Sequence, residues 1–404
     1  MTFAVIPFEG PSGDAAGGQV ATTMTEAATA IQENRSWARV APRRKVDEAL
    51  ARNVSPRELG RALDVHFLIR GHVAKAPSGG YVTELQMVDT ATERILGART
   101  LAVPEGATTP RDPIELKNGL GNLTFLAVKS EADRARGKAD ADLDVRDLTF
   151  RAWVDWGSAS REDARASYYT AMALLDRARK QAPDDILAMR IVAEINLCAC
   201  INGWSTNIAE QQAIGAAALE DWLRHDPTST TALAFKANLY ALRGQYDDAI
   251  VIGDAILKRE PQSAAARYVK ADALLHLGRP LEAKAALGDL LERDDDAEMY
   301  ALAAAIDYTI GRNDLAAEEA RRAVALMNAE DLRNRTKGAA MLTLIAAEAR
   351  LGHADRAKAA RAKFTENAPG VDTIADVKAW MQPTAKLVGY EPLFEGLRLA
   401  GFGN

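Results

Sequence analysis

The chain has 404 residues, 48% hydrophobic, 26% charged and 6% aromatic, with a formal net charge of −6. That length suits two domains, the acidic balance argues against direct nucleic-acid binding, and two cysteines cannot build a disulfide framework. No apolar run reaches the roughly 18 residues a membrane helix needs, and the opening MTFAVIPFEGPSGD carries no basic, cleavable leader, so a soluble chain without membrane insertion is predicted.

Residues 3–8, FAVIPF, predict a short buried strand that leaves through the glycine-rich GPSGDAAGG. A phosphate cradle would need a lysine and a GxGxxG or GxxxxGK[ST] pattern; this segment has neither, and Asp14 puts an anion inside it, so a structural loop is the reading. An apolar helical pattern follows over 20–32, a strand over 37–41, and a helical stretch over 47–63 broken at Ser55-Pro56, the form of an N-cap with proline at N1. HFLIRGHVA and YVTELQMV alternate by twos around the hairpin loop KAPSGG, residues 94–103 supply another strand, and 114–134 a closing helix. The order β-α-β-α-β-β-β-α predicts a small α/β (α+β) domain over 1–137.

The polar stretch from Ser130 to Asp142, with EADRARGKADAD within it, reads as the boundary to a different composition over 143–404, where alanine rises and β-branched runs thin out. Residues 1–137 hold 17 basic and 16 acidic side chains and the remainder 33 and 40, so the acidity belongs to the second part.

That second part repeats. The turns GQYDDA, GRPLEA, GRNDLA and GHADRA begin at Gly244, Gly278, Gly311 and Gly352, each joining two predicted helices. The turn alanines Ala249, Ala283, Ala316 and Ala357 are matched twelve residues earlier by Ala237, Ala271 and Ala304, and by Ile345 in the last unit. Small residues at both places let two antiparallel helices approach closely. Pro261 and Pro369 stand twelve residues after their turn alanines, where the second helix must end. The pattern over about 228–370 resembles the tetratricopeptide repeat. Two degenerate units upstream, ending at Pro183 and Pro227 with an insertion around CINGWSTNIAEQ, make an all-α solenoid of about six helical pairs plus a cap.

No catalytic constellation emerges. The five histidines show no H-E-x-x-H spacing, and His225, His276 and His353, each near a helix end or turn, read as surface residues. His66 and His72 fall on one strand face without evident co-ligands, so structural roles are expected for them and no metal or other cofactor is predicted. Cys198 and Cys200 lie two apart in a helix, pointing away from one another, and read as buried small hydrophobes.

In the repeat that this region resembles, the first helix of each pair lines a concave groove. Its positions here are Thr231, Ala234, Asn238 and Ala241; Ala265, Tyr268, Asp272 and Leu275; Glu298, Ala301, Ala305 and Tyr308; and Ala339, Leu342, Ala346 and Ala349. Only Asn238 fits the lysine, arginine and asparagine set of relatives that grip a terminal carboxylate. The candidate protein-binding groove is therefore Thr231, Asn238, Tyr268, Asp272, Leu275, Glu298, Tyr308 and Leu342, suited to a helix or apolar segment with basic flanks. The competing reading fills the groove with another part of the chain or with a second copy in a homodimer.

The ends of the chain add a second resemblance. AVIPFEGPSGD, ELGRALDVHFLIRGHV and ELQMVDTATERILGART resemble TolB amino-terminal-like domains, with Glu9-Gly10-Pro11 in place of an asparagine-centred turn. FRAWVDWGSASRED, INGW and the tail YEPLFEGLRLAGF resemble the repeats associated with that domain. This resemblance implies a bacterial, non-enzymatic sensory or regulatory module that binds a protein or peptide and controls an effector in cis or in trans. The effector it implies is a class III adenylate or guanylate cyclase or a winged-helix transcription regulator. The alternative is a small-molecule sensor whose ligand sits between the α/β domain and the first repeats. A cytoplasmic location is expected, or a periplasmic one if the chain is a fragment of a membrane-anchored regulator.

Overall fold

A computed structural model describes residues 1–404 apart from 36, 53, 112, 158–163, 202–206, 294–295, 328–334 and 382–389. The SASRED end of FRAWVDWGSASRED, the NGW of INGW and most of the charged linker at 329–338 lie outside the described residues. The chain forms two compact units, Met1–Ser158 with Thr170–Ala188, and Ala159–Tyr169 with Met189–Asn404.

In the first unit, β1 (Thr2–Val5) leads through the glycine loop into α1 (Ala15–Glu33). β2 (Arg39–Val40), α2 (Arg43–Leu50), α3 (Pro56–Leu63), β3 (Phe67–Lys75), β4 (Tyr81–Asp89), β5 (Ile95–Val103) and α4 (Pro113–Arg136) follow. The break at Ser55-Pro56 does more than cap a helix; it separates α2 from α3. Ser55 Oγ accepts from Glu58 N–H and Glu58 accepts from Ser55 N–H, so two otherwise orphaned donors are satisfied reciprocally. The sheet runs β2-β1-β3-β4-β5, with β1 parallel to β2 and β3 and the last three strands antiparallel.

Period-two alternation gives each strand two faces. Ala4, Leu68 and Val88 pack with Val46, Leu59 and Leu63 of α2 and α3. On the opposite face, α1 and α4 cover β3, β4 and β5. α5 (Val145–Gly157) then packs on α4, where Trp153 stands edge-on to Phe125 at 5.8 Å and to Trp37 at 6.2 Å.

α6 (Ala164–Gln181), α7 (Ile186–Ile201) and α8 (Ile208–His225) continue the chain. Four helix pairs follow: α9 (Thr230–Leu242) with α10 (Tyr246–Arg259), α11 (Ala264–His276) with α12 (Pro280–Leu287), and, after the short α13 (Leu290–Arg293), α14 (Ala297–Thr309) with α15 (Asn313–Leu326), then α16 (Arg335–Arg350) with α17 (Ala354–Asn367). α18 (Ile374–Met381) and α19 (Glu391–Leu399) end the chain.

The four turns share one construction. Gly244, Gly278, Gly311 and Gly352 all have φ between 70° and 85°, the left-handed region glycine enters without a Cβ penalty. Each glycine N–H bonds three residues back and the next N–H five back, as in Gly278 to Leu275 and Arg279 to Leu274, both 2.9 Å. The turn alanines, their partners twelve residues earlier and Ile345 are all buried. One pair departs from the expected pattern. Its second helix is interrupted at Gly288, φ 56°, and Asp289 accepts from Arg267 at 2.8 Å instead of continuing α12.

Candidate protein-binding groove

The first helices of the four pairs lie in series, α9 beside α11, α11 beside α14, and α14 beside α16. They carry the candidate groove residues at two different levels of exposure. Thr231 and Glu298 are exposed, and Asn238, Tyr268 and Asp272 are half-buried. Leu275, Tyr308 and Leu342 are buried.

The buried end is covered from within the same unit. Leu393, Phe394 and Leu397 of α19 share an apolar cluster with Tyr308, Leu342, Ile345 and Ala346. The Tyr308 hydroxyl donates to Pro392 O at 2.9 Å and accepts from Arg350 Nε at 2.9 Å, while Arg350 also reaches Glu395 at 2.8 Å. Gly396 sits where a Cβ would stand 2.1 Å from the Tyr308 hydroxyl and 2.7 Å from Ala346 Cβ. Beyond α19, Phe402 is buried under Arg361, whose guanidinium stands 4.4 Å from the ring centroid, and Ile374 N–H donates to Gly403 O at 2.8 Å. The last two pairs thus present their first helices to the chain's own C-terminal helix.

The accessible end is acidic and borders a largely buried aromatic cluster. Tyr246 stacks on His276 with centroids 4.9 Å apart, and Tyr390 stands at 5.6 Å from the same imidazole with its hydroxyl 3.4 Å from Nε2. His276 Nδ1 lies 2.8 Å from Asp272 O. This corrects the surface assignment of His276: it is 7% exposed, with Tyr246 stacked on its ring and Tyr390 packed beside it at a tilt. His225 is exposed and His353 pairs with the buried Glu348 at 2.7 Å. Burial pushes the Tyr268 phenol well above its ordinary value, reinforced by the negative charges of Asp272, Glu298 and Asp296. Tyr268 therefore lines a recessed but still accessible surface under negative potential.

Sequence reasoning did not place Tyr246, Arg350 or Tyr390 here. The one sequence signal was the spacing of Leu393, Phe394 and Leu397 around Gly396, an apolar helix face with a gap for close approach.

The other singled-out residues take structural positions. Asp14 caps α1, accepting from Ala16 and Gly17 N–H at 3.1 Å and from the Tyr81 hydroxyl at 2.9 Å. Its carboxylate occupies the helix N-terminus a phosphate would need. His66 pairs with Glu131 at 2.6 Å, and His72 faces Glu9 at 3.9 Å, so the two imidazoles have separate partners. Burial would raise the Glu131 carboxyl, but hydrogen bonds from His66 and Arg134 overrule it and bring it to about 2. Cys200 is buried as expected but Cys198 is half-buried; desolvation pushes the Cys198 thiol up to about 12 and Cys200 to about 11, which keeps both protonated. Among the described residues no group of three or more histidine, cysteine, aspartate or glutamate side chains is placed to hold a metal ion, and no helix is long and apolar enough to cross a membrane.

Within the first unit lies a separate recess of about 350 Å³, lined among others by Trp37, Arg39, Arg146, Phe150 and Asp185.

The tetratricopeptide-repeat family model matches residues 241–306, from the end of α9 into α14. The architecture is a small α/β domain followed by a tetratricopeptide-type helical solenoid, a class of fold that serves protein–protein interaction. No curated protein matches the chain.

Proposed function

We propose that this chain is a regulatory interaction module that binds a protein or peptide segment along the first helices of the α9–α12 pairs. The observation that carries this is the contrast within one groove: Tyr308 and Leu342 are sealed by α19, while Thr231, Asn238, Tyr268 and Asp272 remain accessible. The accessible part joins the half-buried Tyr268 ring to Asp272 and Glu298, so the segment it suits is apolar with lysine or arginine beside it. Control of a cyclase or a winged-helix regulator is the role we assign to that binding, on the resemblance of the chain's two parts to such regulatory regions. A random peptide library displayed on phage and panned against the full chain tests the reading. Enrichment of basic-apolar sequences supports it, and recovery of no binders, or of acidic ones only, contradicts it.

A second reading rests on the recess beside Phe150. It has the size of a small-metabolite site and mixes aromatic walls with charges of both signs. Native mass spectrometry of the purified protein would then show a stoichiometric small molecule that an Arg146→Ala variant loses.

A further inference from the structure

The junction between the second and third repeats holds a charge cluster that the groove does not use. Lys284 of α12 faces two carboxyl groups, Asp307 of α14 and Glu319 of α15. It donates to Asp307 Oδ2, and its Nζ lies 3.3 Å from Glu319 Oε1. The Asp307 side chain is fully buried, and that of Glu319 is 13% exposed. One lysine therefore meets two desolvated carboxyls.

Drawn as two carboxylates, Oδ1 of Asp307 and Oε2 of Glu319 are each left without a donor. Orphaned buried acceptors of this kind are costly. A proton on Glu319 Oε2, donated to Asp307 Oδ1, would give both atoms a partner and make the cluster neutral. We propose that Glu319 carries a proton at neutral pH and donates it to Asp307 Oδ1, forming a built-in pH-sensitive lock between the second and third repeats.

Burial raises the Glu319 carboxyl to about 7, with the Asp307 charge adding to the rise and Lys284 opposing it. Among the described residues, these charges on the neighbouring elements have other partners. On α16, Glu348 pairs with Arg321 and His353, and Arg350 with Tyr308 and Glu395. On α11, Lys270 pairs with Asp254, Arg267 with Asp289, and Asp272 lies beside His276. On α12, Glu282 pairs with Arg279. The sign follows. A carboxyl raised in the folded state favours folding fully below its unfolded value near 4.5, and that advantage is lost as pH rises towards and through 7.

Hydrogen exchange of the full chain, read on peptides covering α14 and α15 and corrected for intrinsic rate, tests this. Protection in the unaltered protein should fall about tenfold or more between pH 5.5 and 8.5. Glu319→Gln should abolish that fall, because its amide donates to Asp307 Oδ1 while its carbonyl accepts from Lys284, reproducing the protonated state. Asp307→Asn, which removes the neighbouring charge, should flatten the profile as well. Protection independent of pH in the unaltered protein would overturn the proposal. So would a Glu319→Gln chain that fails to fold at pH 5.5 or keeps the unaltered slope, or an Asp307→Asn chain that keeps it.

Discussion

Gly396 shows how one absent side chain fixes a helix in place. Alanine there would gain about 1 kcal/mol of helix propensity. Against that gain stands a Cβ 2.7 Å from that of Ala346 and 2.1 Å from a Tyr308 hydroxyl already held by Pro392 O and Arg350. Overpacking wins in such a site, so Gly396→Ala is expected to destabilise the second unit by about 1–3 kcal/mol. Its melting temperature should fall below that of the unaltered protein, and a rise would show that α19 tolerates a looser seat. His276 illustrates the limit of reading single residues. Its place before a turn suggested the surface, yet Tyr246 and Tyr390 enclose it, and they stand 30 and 114 residues away in sequence.

Among elements, the repeat turns were the most legible feature. Glycine at the left-handed position and alanine at the close approach follow from local sterics, so their spacing revealed the four pairs without tertiary information. The strands of the first domain were legible for the same reason, since period-two alternation is written along the chain. The split of α12 at Gly288 was not, because no proline marks it and Arg267, on another helix, supplies the partner for Asp289. The return of α19 onto Tyr308 and Leu342 was equally hidden, since which surface an amphipathic helix covers depends on shape complementarity far away in sequence. Gly278→Ala, forced to φ near 71°, is expected to cost about 1–2 kcal/mol. Hydrogen exchange should place the loosening in α11 and α12, and uniform loosening across all four pairs would contradict nearest-neighbour behaviour of the repeats.

At the scale of the whole molecule, the acidity that composition assigned to the second part of the chain gains a position. Asp272, Asp296 and Glu298 act together on Tyr268, at the end of the groove that α19 leaves accessible. Of the eight groove candidates, the sequence identified the helices that carry them, but their partition into covered and accessible sets came only with the fold. We propose that binding uses the accessible set. Fluorescence anisotropy with a labelled basic-apolar peptide selected on the unaltered chain tests it, comparing Asp272→Lys with Glu318→Lys on the second helix of the third pair. Asp272→Lys should weaken binding about tenfold or more, while Glu318→Lys leaves it within about twofold; equal affinity for Asp272→Lys and the unaltered chain would contradict it.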